Sequence, residues 1–225
     1  ISNKYNYKFI HITTDCVFDG LKGNYIETDI HNESSIYGVS KSLGEPEDTC
    51  IIRTSIIGEE LLNKKSLLEW VISQKDKTIQ GYTNYLWNGI TCLTLAKIIE
   101  QIIETNAYWC RVKHVFSSDI ITKYNLCKYI NDIYKLNITI EPSTIAKSKN
   151  MSLCSNTYQA TMSIKEQIIE QRKFDLKLGS YKKLERCRFC KNTHLETIFA
   201  YENNIPLAGG FLKTKRDCLY EKHYP

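Results

Sequence analysis

Thr14, Tyr37 and Lys41 have the residue types and the spacing that suit reduction of a carbonyl group. Hydride transfer to a ketone leaves negative charge on its oxygen, so the reaction needs a positioned acid and a second hydrogen-bond donor. A tyrosine phenol has an ordinary pKa of about 10, and a nearby cation favours its ionised form. Lys41 lies one helical turn after Tyr37, and Thr14 ends an apolar run. The three residues therefore predict an acid, its activating cation and a second donor.

A Tyr-x-x-x-Lys pair is a weak signal by itself, since the chain contains a second one at Tyr124 and Lys128. We interpret that second pair as an ordinary helix face. The first pair is a stronger signal because of the segments that precede it along the chain. These are a buried strand, Thr-Asp and an acidic loop, followed by Tyr-Gly-x-Ser-Lys at the start of a helix. This order favours a catalytic interpretation of Tyr37 and Lys41.

Strands and helices are predicted to alternate along most of the chain. Short β-branched and aromatic runs predict buried strands, at 8–14, 49–58 and 112–118. Apolar residues at helical spacing predict helices, over 37–45, 60–74, 91–106 with Thr91 as N-cap, 123–135 with Thr122 as N-cap, and 163–171. Such alternation predicts an α/β fold with a mostly parallel sheet covered by helices.

The composition is that of a globular protein, with 225 residues, 42% hydrophobic and 24% charged. The net charge of +5 is mild and no basic stripe is interleaved with aromatic residues, which argues against nucleic acid as a partner. No apolar run approaches the roughly 18–20 residues of a membrane span. Nine scattered cysteines are typical of free thiols in a cytoplasmic protein.

The segments "TTDCVFDG" (13–20), "YIETD" (25–29) and "YGVSKSLGE" (37–45) together resemble the extended short-chain dehydrogenase/reductases, most closely the dTDP-4-dehydrorhamnose reductase branch. The resemblance covers roughly residues 8 to 171 and implies a Rossmann-like parallel sheet. It implies NAD(P)H-dependent reduction of the 4-keto group of a nucleotide-linked 6-deoxysugar, so the expected partner is a nucleotide-sugar substrate.

The resemblance also implies roles for individual residues. Thr14 would hydrogen-bond the substrate oxygen, Tyr37 would be the acid, and Lys41 would bind the nicotinamide ribose, with Tyr37 and Thr13 beside the cofactor. Residues expected on the substrate side are Asp15, Cys16, Thr54, Ser55, Ile56 and Trp87, the last in a polar loop over 81–91. Cys16 stands where rhamnose reductases have Tyr, and Ile56 where they often have Trp, which leaves the sugar open.

A Gly-rich turn that binds the cofactor pyrophosphate is absent from the sequence, since none of the 10 glycines forms a Gly-x-Gly-x-x-Gly pattern. The resemblance implies that about 100 residues of the usual two-halved fold belong before residue 1. The fold is therefore expected to be a partial Rossmann-like one, with weak or absent binding of NADP or NAD. A complementing N-terminal half and a second copy of the chain are the expected candidates for a protein partner.

The segment 187–225 differs in character, and 172–186 is predicted to be a linker to it. Cys187 and Cys190 have the C-x-x-C spacing of half a tetrahedral zinc site, which Cys218 and a nearby histidine could complete on spacing alone. The sequence around the pair resembles the amino-terminal zinc-binding segment of deoxysugar C-methyltransferases. That resemblance implies a small zinc-ribbon-like segment whose first metal pair is Cys187 and Cys190.

Several functions remain open from the sequence. The first is the sugar-nucleotide reductase, possibly as part of a bifunctional protein, and the second is a non-catalytic sugar-nucleotide-binding or regulatory fragment without a cofactor site. An epimerase of the same superfamily is a third, because the same three residues serve both reactions. A component of a deoxysugar C-methyltransferase is the fourth, if the C-terminal segment defines the protein.

Overall fold

The computed structural model describes residues 7–60, 64–157, 162–178, 196–197 and 212–213. The chain divides into two compact units, residues 1–172 and 173–225. In the second unit the described residues are the end of a helix and two short antiparallel strands, Glu196–Thr197 and Leu212–Lys213. The predicted zinc pair, Cys187 and Cys190, and the predicted linker beyond residue 178 lie outside the described residues.

The first unit alternates strands and helices, as the sequence predicts. The helices are α1 (Ile36–Leu43), α2 (Leu67–Ser73), α3 (Cys92–Glu104), α4 (Lys123–Tyr134) and α5 (Ile164–Leu178), whose last residues belong to the second unit. The strands are β1 (Ile10–Thr14), β2 (Cys50–Thr54), β3 (Ile56–Ile57), β4 (Thr78–Tyr82), β5 (Tyr85–Trp87), β6 (Ile90–Thr91), β7 (Arg111–His114), β8 (Ile121–Thr122), β9 (Thr139–Ser143) and β10 (Lys149–Asn150).

The central sheet is parallel, in the order β1-β2-β7. All five residues of β2 are buried, as expected for the middle strand of a sheet that is covered on both faces. Thr14 pairs with Thr54 in the register of β1 and β2, so the predicted donor stands at the carboxyl edge of the sheet. Open α/β sheets bind ligands at this edge.

Two apolar clusters hold the helices in place. The cluster beside the central sheet contains residues of β2, β6 and α3: Ile52, Ile90, Leu95, Ile102 and Val115. The larger cluster joins α2, α4 and α5 to the strands between them and includes Ile57, Leu68, Trp87, Leu126 and Ile168. Thr91 and Thr122 cap α3 and α4 as predicted, each hydroxyl accepting a hydrogen bond from a backbone N–H three residues on.

The helix predicted over 60–74 is shorter in the structure. It begins at Leu67, because the chain turns before it: Lys64 has a φ of 46°, and the Glu60 carboxylate accepts hydrogen bonds from the backbone N–H groups of Lys65 and Ser66. Ser66 then caps the helix by accepting from the backbone N–H of Glu69. Apolar spacing alone extends the prediction too far toward the N-terminus.

The substrate-side loop predicted over 81–91 is largely strand. β5 pairs with β10 in parallel and with β8 in antiparallel orientation, and β6 pairs with β3. These partners are distant in sequence, which is why local patterns miss them. Trp87 accordingly lies in a strand with 2% of its surface exposed, rather than in an open loop.

The last helix continues beyond the predicted end at residue 171 to Leu178, through residues that the sequence analysis assigns to a linker. Among the described helices, none is long and apolar enough to cross a membrane.

Candidate active site

Tyr37 and Lys41 lie on one face of α1. Ser35 begins this helix by accepting a hydrogen bond from the backbone N–H of Gly38 at 3.2 Å. The Lys41 Nζ atom is 5.5 Å from the centroid of the Tyr37 ring, and Tyr37 keeps 52% of its surface exposed. The structure thus brings together the predicted acid and cation.

Gly38 sets the distance between α1 and the turn that follows β1. It is buried, and a Cβ atom built on it would lie 2.6 Å from the backbone oxygen of Cys16 and in collision with the Glu33 side chain. The helix that carries Tyr37 therefore packs directly against the backbone of the 3-10 turn Asp15–Val17. The glycine of the Tyr-Gly-x-Ser-Lys segment is required by this close approach.

Replacing Gly38 by Ala is expected to displace α1 from the turn, because the Cys16 backbone has little freedom to move. Overpacking of this kind costs typically about 1–3 kcal/mol, so the free energy of unfolding in urea should fall by about that amount. Gly44→Ala is the control on the same segment, since a Cβ there would meet only two backbone oxygens of α1, those of Ser40 at 3.2 Å and Lys41 at 3.6 Å. Equal stability of the two variants would contradict the proposed contact.

Thr14 and Asp15 form a hydrogen-bonded pair at the end of β1. The Thr14 hydroxyl donates to Asp15 Oδ1 at 3.1 Å and accepts from the backbone N–H of Cys16 at 3.2 Å. Asp15 is buried, and burial raises the pKa of its carboxyl above the ordinary value despite the hydrogen bond from Thr14. In this structure Asp15 accepts the Thr14 hydroxyl proton, so a substrate oxygen at this place would compete with Asp15 for that hydrogen bond.

Among the predicted substrate residues, Cys16 and Ser55 neighbour Asp15, and Trp87 is hydrogen-bonded to Ser55. Cys16 Sγ donates to Asp15 Oδ1 at 3.6 Å, and burial together with Asp15 raises the pKa of this thiol. The Ser55 hydroxyl is a further hydrogen-bonding neighbour of Asp15, and it accepts a hydrogen bond from Trp87 Nε1 at 2.8 Å. Ile56, by contrast, points outward with 48% of its surface exposed.

Two of the predicted residues are buried beside the site. The Thr54 hydroxyl donates weakly to the backbone oxygen of Ser55, at 3.4 Å. The buried Thr13 Oγ1 has no hydrogen-bond partner among the residues that the structure describes. The roles predicted for Thr13, Thr54 and Ile56 toward cofactor and substrate stay predictions.

Lys123 belongs to the same cluster, and the sequence analysis missed it. As the first residue of α4, it places its Nζ atom 4.5 Å from the ring centroid of Trp87 and 5.5 Å from that of Tyr85. Burial lowers the pKa of Lys123 to about 8, against the attraction of Asp15. The sequence did carry one signal for Lys123, which is its place in the first turn of a predicted helix. A cation at that end opposes the helix dipole.

Arg53 anchors the C-terminal end of α1 to the central sheet. Its guanidinium is 1% exposed and donates to both carboxylate oxygens of Glu45, at 2.6 and 3.1 Å. It also donates to the Nε2 atoms of His31 and His114, each at 2.8 Å, and lies 5.3 Å from the centroid of the Phe18 ring. Arg53 thereby connects β2, β7, the loop before α1 and the residue that follows this helix.

Both histidines are neutral in this arrangement, because an arginine can only donate and each Nε2 must accept. Burial, and after it the charge of Arg53, lowers the pKa of His31 and of His114. His31 Nδ1 is 2.6 Å from the Ser42 hydroxyl on α1, while His114 Nδ1–H can donate to the backbone oxygens of Tyr25 and Cys154, both at 2.9 Å.

Stability is therefore expected to fall as the pH drops below about 6.5, the ordinary pKa of histidine. The unfolded chain binds protons at these two positions more readily than the folded one, so the free energy of unfolding rises with pH across this window and levels off above it. Urea titrations from pH 5 to 8 test this, with a His31→Asn, His114→Asn variant as comparison. If the free energy of unfolding of that variant changed with pH as steeply as that of the wild-type chain, the assignment to these two histidines would be contradicted.

The acidic loop "YIETD" is mainly structural. Tyr25 stacks on Phe18 with ring centroids 4.2 Å apart and donates its hydroxyl proton to Asp19 at 2.9 Å. Glu27 accepts from the backbone N–H of His114 at 3.0 Å, and Asp29 pairs with Lys22 at 2.6 Å. These contacts fix the loop that leads from the Thr14 turn to α1.

No cluster of three or more metal-binding side chains occurs within the described part of the chain. Zinc binding at Cys187 and Cys190, which fall outside it, stays a prediction of the sequence.

Comparison with known proteins agrees with this geometry. A dTDP-4-dehydrorhamnose reductase of Aggregatibacter actinomycetemcomitans is 29% identical over 143 residues, which are 57% of this chain and 48% of the relative. The chain thus spans about half the length of that curated relative.

Solved structures of similar fold include two that are described as reductases of the same name. That of Bacillus anthracis in complex with NADP has a TM-score of 0.64 at 19% identity, covering 77% of this chain and 67% of the other. A hypothetical dTDP-4-dehydrorhamnose reductase of Sulfolobus tokodaii has a TM-score of 0.55 at 29% identity, covering 68% of this chain and 57% of the other. The UDP-glucose 4-epimerase of Thermotoga maritima, at 15% identity and a TM-score of 0.59, shows the fold alone.

The family model described as the RmlD substrate binding domain matches residues 1–183, which is most of the chain and includes every element around Thr14, Tyr37, Lys41 and Lys123. Because this family model matches well over half of the chain, the chain belongs to the RmlD substrate binding domain family.

Proposed function

We propose that this chain supplies the substrate-side and proton-donating part of an NAD(P)H-dependent reductase acting on the 4-keto group of a nucleotide-linked 6-deoxysugar. The observation that carries the proposal is that Gly38 packs α1 against the turn after Thr14, while the Lys41 Nζ atom lies 5.5 Å from the centroid of the Tyr37 ring. The half-exposed Tyr37 phenol can meet a ligand at the carboxyl edge of the sheet, where Thr14 stands.

In the proposed reaction Tyr37 gives its phenol proton to the ketone oxygen as that oxygen gains negative charge. Lys41 stabilises the phenolate that remains, and the Thr14 hydroxyl offers a second hydrogen bond to the same oxygen. When bound, the reduced nicotinamide supplies the hydride. The cluster of Asp15, Cys16 and Ser55 would shape the sugar side of the site.

The described residues fit one end of the cofactor. Tyr37 and Lys41 are exposed on the same face of α1, where a lysine ammonium can hold the ribose hydroxyls of a nicotinamide nucleotide. A glycine-rich turn for the pyrophosphate is not found in the sequence of this chain. We therefore expect weak cofactor affinity for this polypeptide, and a complementing cofactor-binding half would raise it.

A non-catalytic sugar-nucleotide-binding module is the second candidate. It is favoured by the family match over residues 1–183, which is described as a substrate binding domain. In that case the chain would bind the nucleotide sugar without reducing it.

Fluorescence titration with NADPH and NADH, followed by incubation with a dTDP-4-keto-6-deoxysugar, separates the two candidates. Oxidation of the cofactor in proportion to reduced sugar supports the reductase. Binding of the sugar nucleotide by the folded chain, without turnover even at saturating NADPH, supports the binding module. A folded chain that binds neither cofactor nor sugar nucleotide would exclude both.

A further inference from the structure

A cavity of about 590 Å³ lies between α2, β4, β5 and α4. Its walls are aromatic and amide side chains together with Lys123, and they include Trp70, Gln80, Tyr82 and Tyr85. Lys123 is the one charged side chain among the described residues that line it. The cavity therefore has uncharged, partly aromatic walls and a single cationic point.

The ammonium group of Lys123 has no counter-ion in contact. Within the described residues it forms neither a hydrogen bond nor an ion pair, and its near neighbours are the faces of Trp87 and Tyr85. Asp15 attracts it from beyond ion-pair distance. Ring faces offset part of the cost of removing a cation from water, but a buried charge is ordinarily paired.

The titratable groups that face Lys123 come from three elements. They are Asp15 and Cys16 in the turn after β1, Tyr85 on β5, and Cys127 one turn along α4. Burial is the largest cause that raises the pKa of each of these four groups. Among the described residues none of the four forms an ion pair with Lys123, so its ammonium can bind an anion that enters the cavity.

We propose that Lys123 is the anion-binding residue of the substrate pocket and that it binds an oxyanion carried by the nucleotide sugar. This inference rests on the proposed function and identifies the part of the substrate that would bind in the cavity. The oxyanion is the diphosphate or a carboxylate on the sugar, both of which a lysine ammonium binds through charge-assisted hydrogen bonds. Tyr82, Tyr85 and Trp70 offer faces for the base or the sugar.

The position agrees with the catalytic geometry. Lys123 and α1 both neighbour the turn after β1, because Gly38 of α1 contacts the Cys16 backbone while Asp15 and Cys16 are electrostatic neighbours of Lys123. A ligand with its oxyanion at Lys123 would thus lie against the same turn that holds Thr14.

Isothermal titration calorimetry with thymidine, dTDP, UDP-glucose and UDP-glucuronate tests the proposal. The variant is Lys123→Met, and the matched control is Lys128→Met on the same helix, an exposed lysine whose Nζ atom lies 5.4 Å from the Tyr124 ring centroid. We expect Lys123→Met to weaken dTDP binding about 10- to 100-fold, with little change for thymidine and none in the control. Lys123→Arg should keep most of the affinity.

The pH dependence gives a second readout. As the pH rises from 7 to 9 the Lys123 ammonium loses its proton, its pKa being about 8, so the affinity of the wild-type chain for dTDP should fall while that of Lys123→Met stays flat. A loss confined to UDP-glucuronate, with dTDP and UDP-glucose unchanged, would identify a sugar carboxylate as the anion.

Wild-type binding of dTDP and UDP-glucuronate that Lys123→Met matches within twofold would overturn the inference and leave the proposed function standing. A folded wild-type chain that binds no sugar nucleotide would overturn both. Circular dichroism of each variant separates loss of binding from loss of fold.

Discussion

Tyr37→Phe is expected to lower kcat for reduction of a dTDP-4-keto-6-deoxysugar by about 100- to 10,000-fold. The substitution removes only the phenol oxygen, which is the proton donor of the proposed reaction, and leaves a ring of the same shape beneath the Lys41 ammonium. Since the half-exposed ring stays in place, binding of the sugar nucleotide should change little. The measurement is the initial rate of NADPH oxidation at saturating sugar nucleotide, with any complementing half supplied.

The chain provides its own matched control for that measurement. Tyr124 and Lys128 repeat the spacing on α4 with nearly the same geometry, the Nζ atom lying 5.4 Å from the ring centroid. Tyr124→Phe should leave kcat within a few-fold of the wild-type value, because this pair is not joined to the Thr14 turn. Equal losses in the two variants, or full activity in Tyr37→Phe, would remove Tyr37 as the acid.

These two pairs also show what the sequence could predict about the site. Residues that lie on one helix, or at the end of one strand, were found from spacing: Tyr37 and Lys41 share a face of α1, and Thr14 ends β1. The order of the segments distinguished the proposed catalytic pair from the repeat on α4. Local patterns were sufficient to bring these residues together because all three lie between Thr14 and Lys41.

The parts that the sequence missed depend on contacts between distant segments. Trp87 was predicted in a loop, yet pairing of β5 with β8 and β10 buries it against Ser55. Lys123 becomes part of the site only because α4 lies beside the turn after β1. Neither contact has a local signature, so hydrophobic spacing and capping residues could not reveal them.

The helix boundaries failed for a different reason. Apolar residues continue at helical spacing before Leu67, but the left-handed backbone at Lys64 and the hydrogen bonds that Glu60 accepts favour a turn there. Competition between side-chain acceptors and backbone hydrogen bonds decides such ends. Where a side chain caps the helix directly, as Thr91 and Thr122 do, the prediction was confirmed.

Glu45→Gln is expected to lower the free energy of unfolding by about 3–5 kcal/mol. The neutral amide keeps the shape of the side chain but leaves the Arg53 guanidinium, 1% exposed, without its counter-ion. The two other side chains that accept from it are neutral histidines, which cannot replace the lost charge. For a domain with about 5–15 kcal/mol of stability, this is a large fraction.

The effect should be concentrated at α1, because Glu45 lies two residues beyond the end of this helix and binds that end to β2. Amide hydrogen exchange in 36–43 should accelerate more than in α3, whose contacts the substitution leaves intact. Glu170→Gln is the control, since its ion pair with Lys97 is half exposed and such surface pairs contribute about 1 kcal/mol or less. Equal denaturation midpoints for the two variants would show that the buried pair does not position α1, and the catalytic helix would then depend on Gly38 and the Ser35 cap alone.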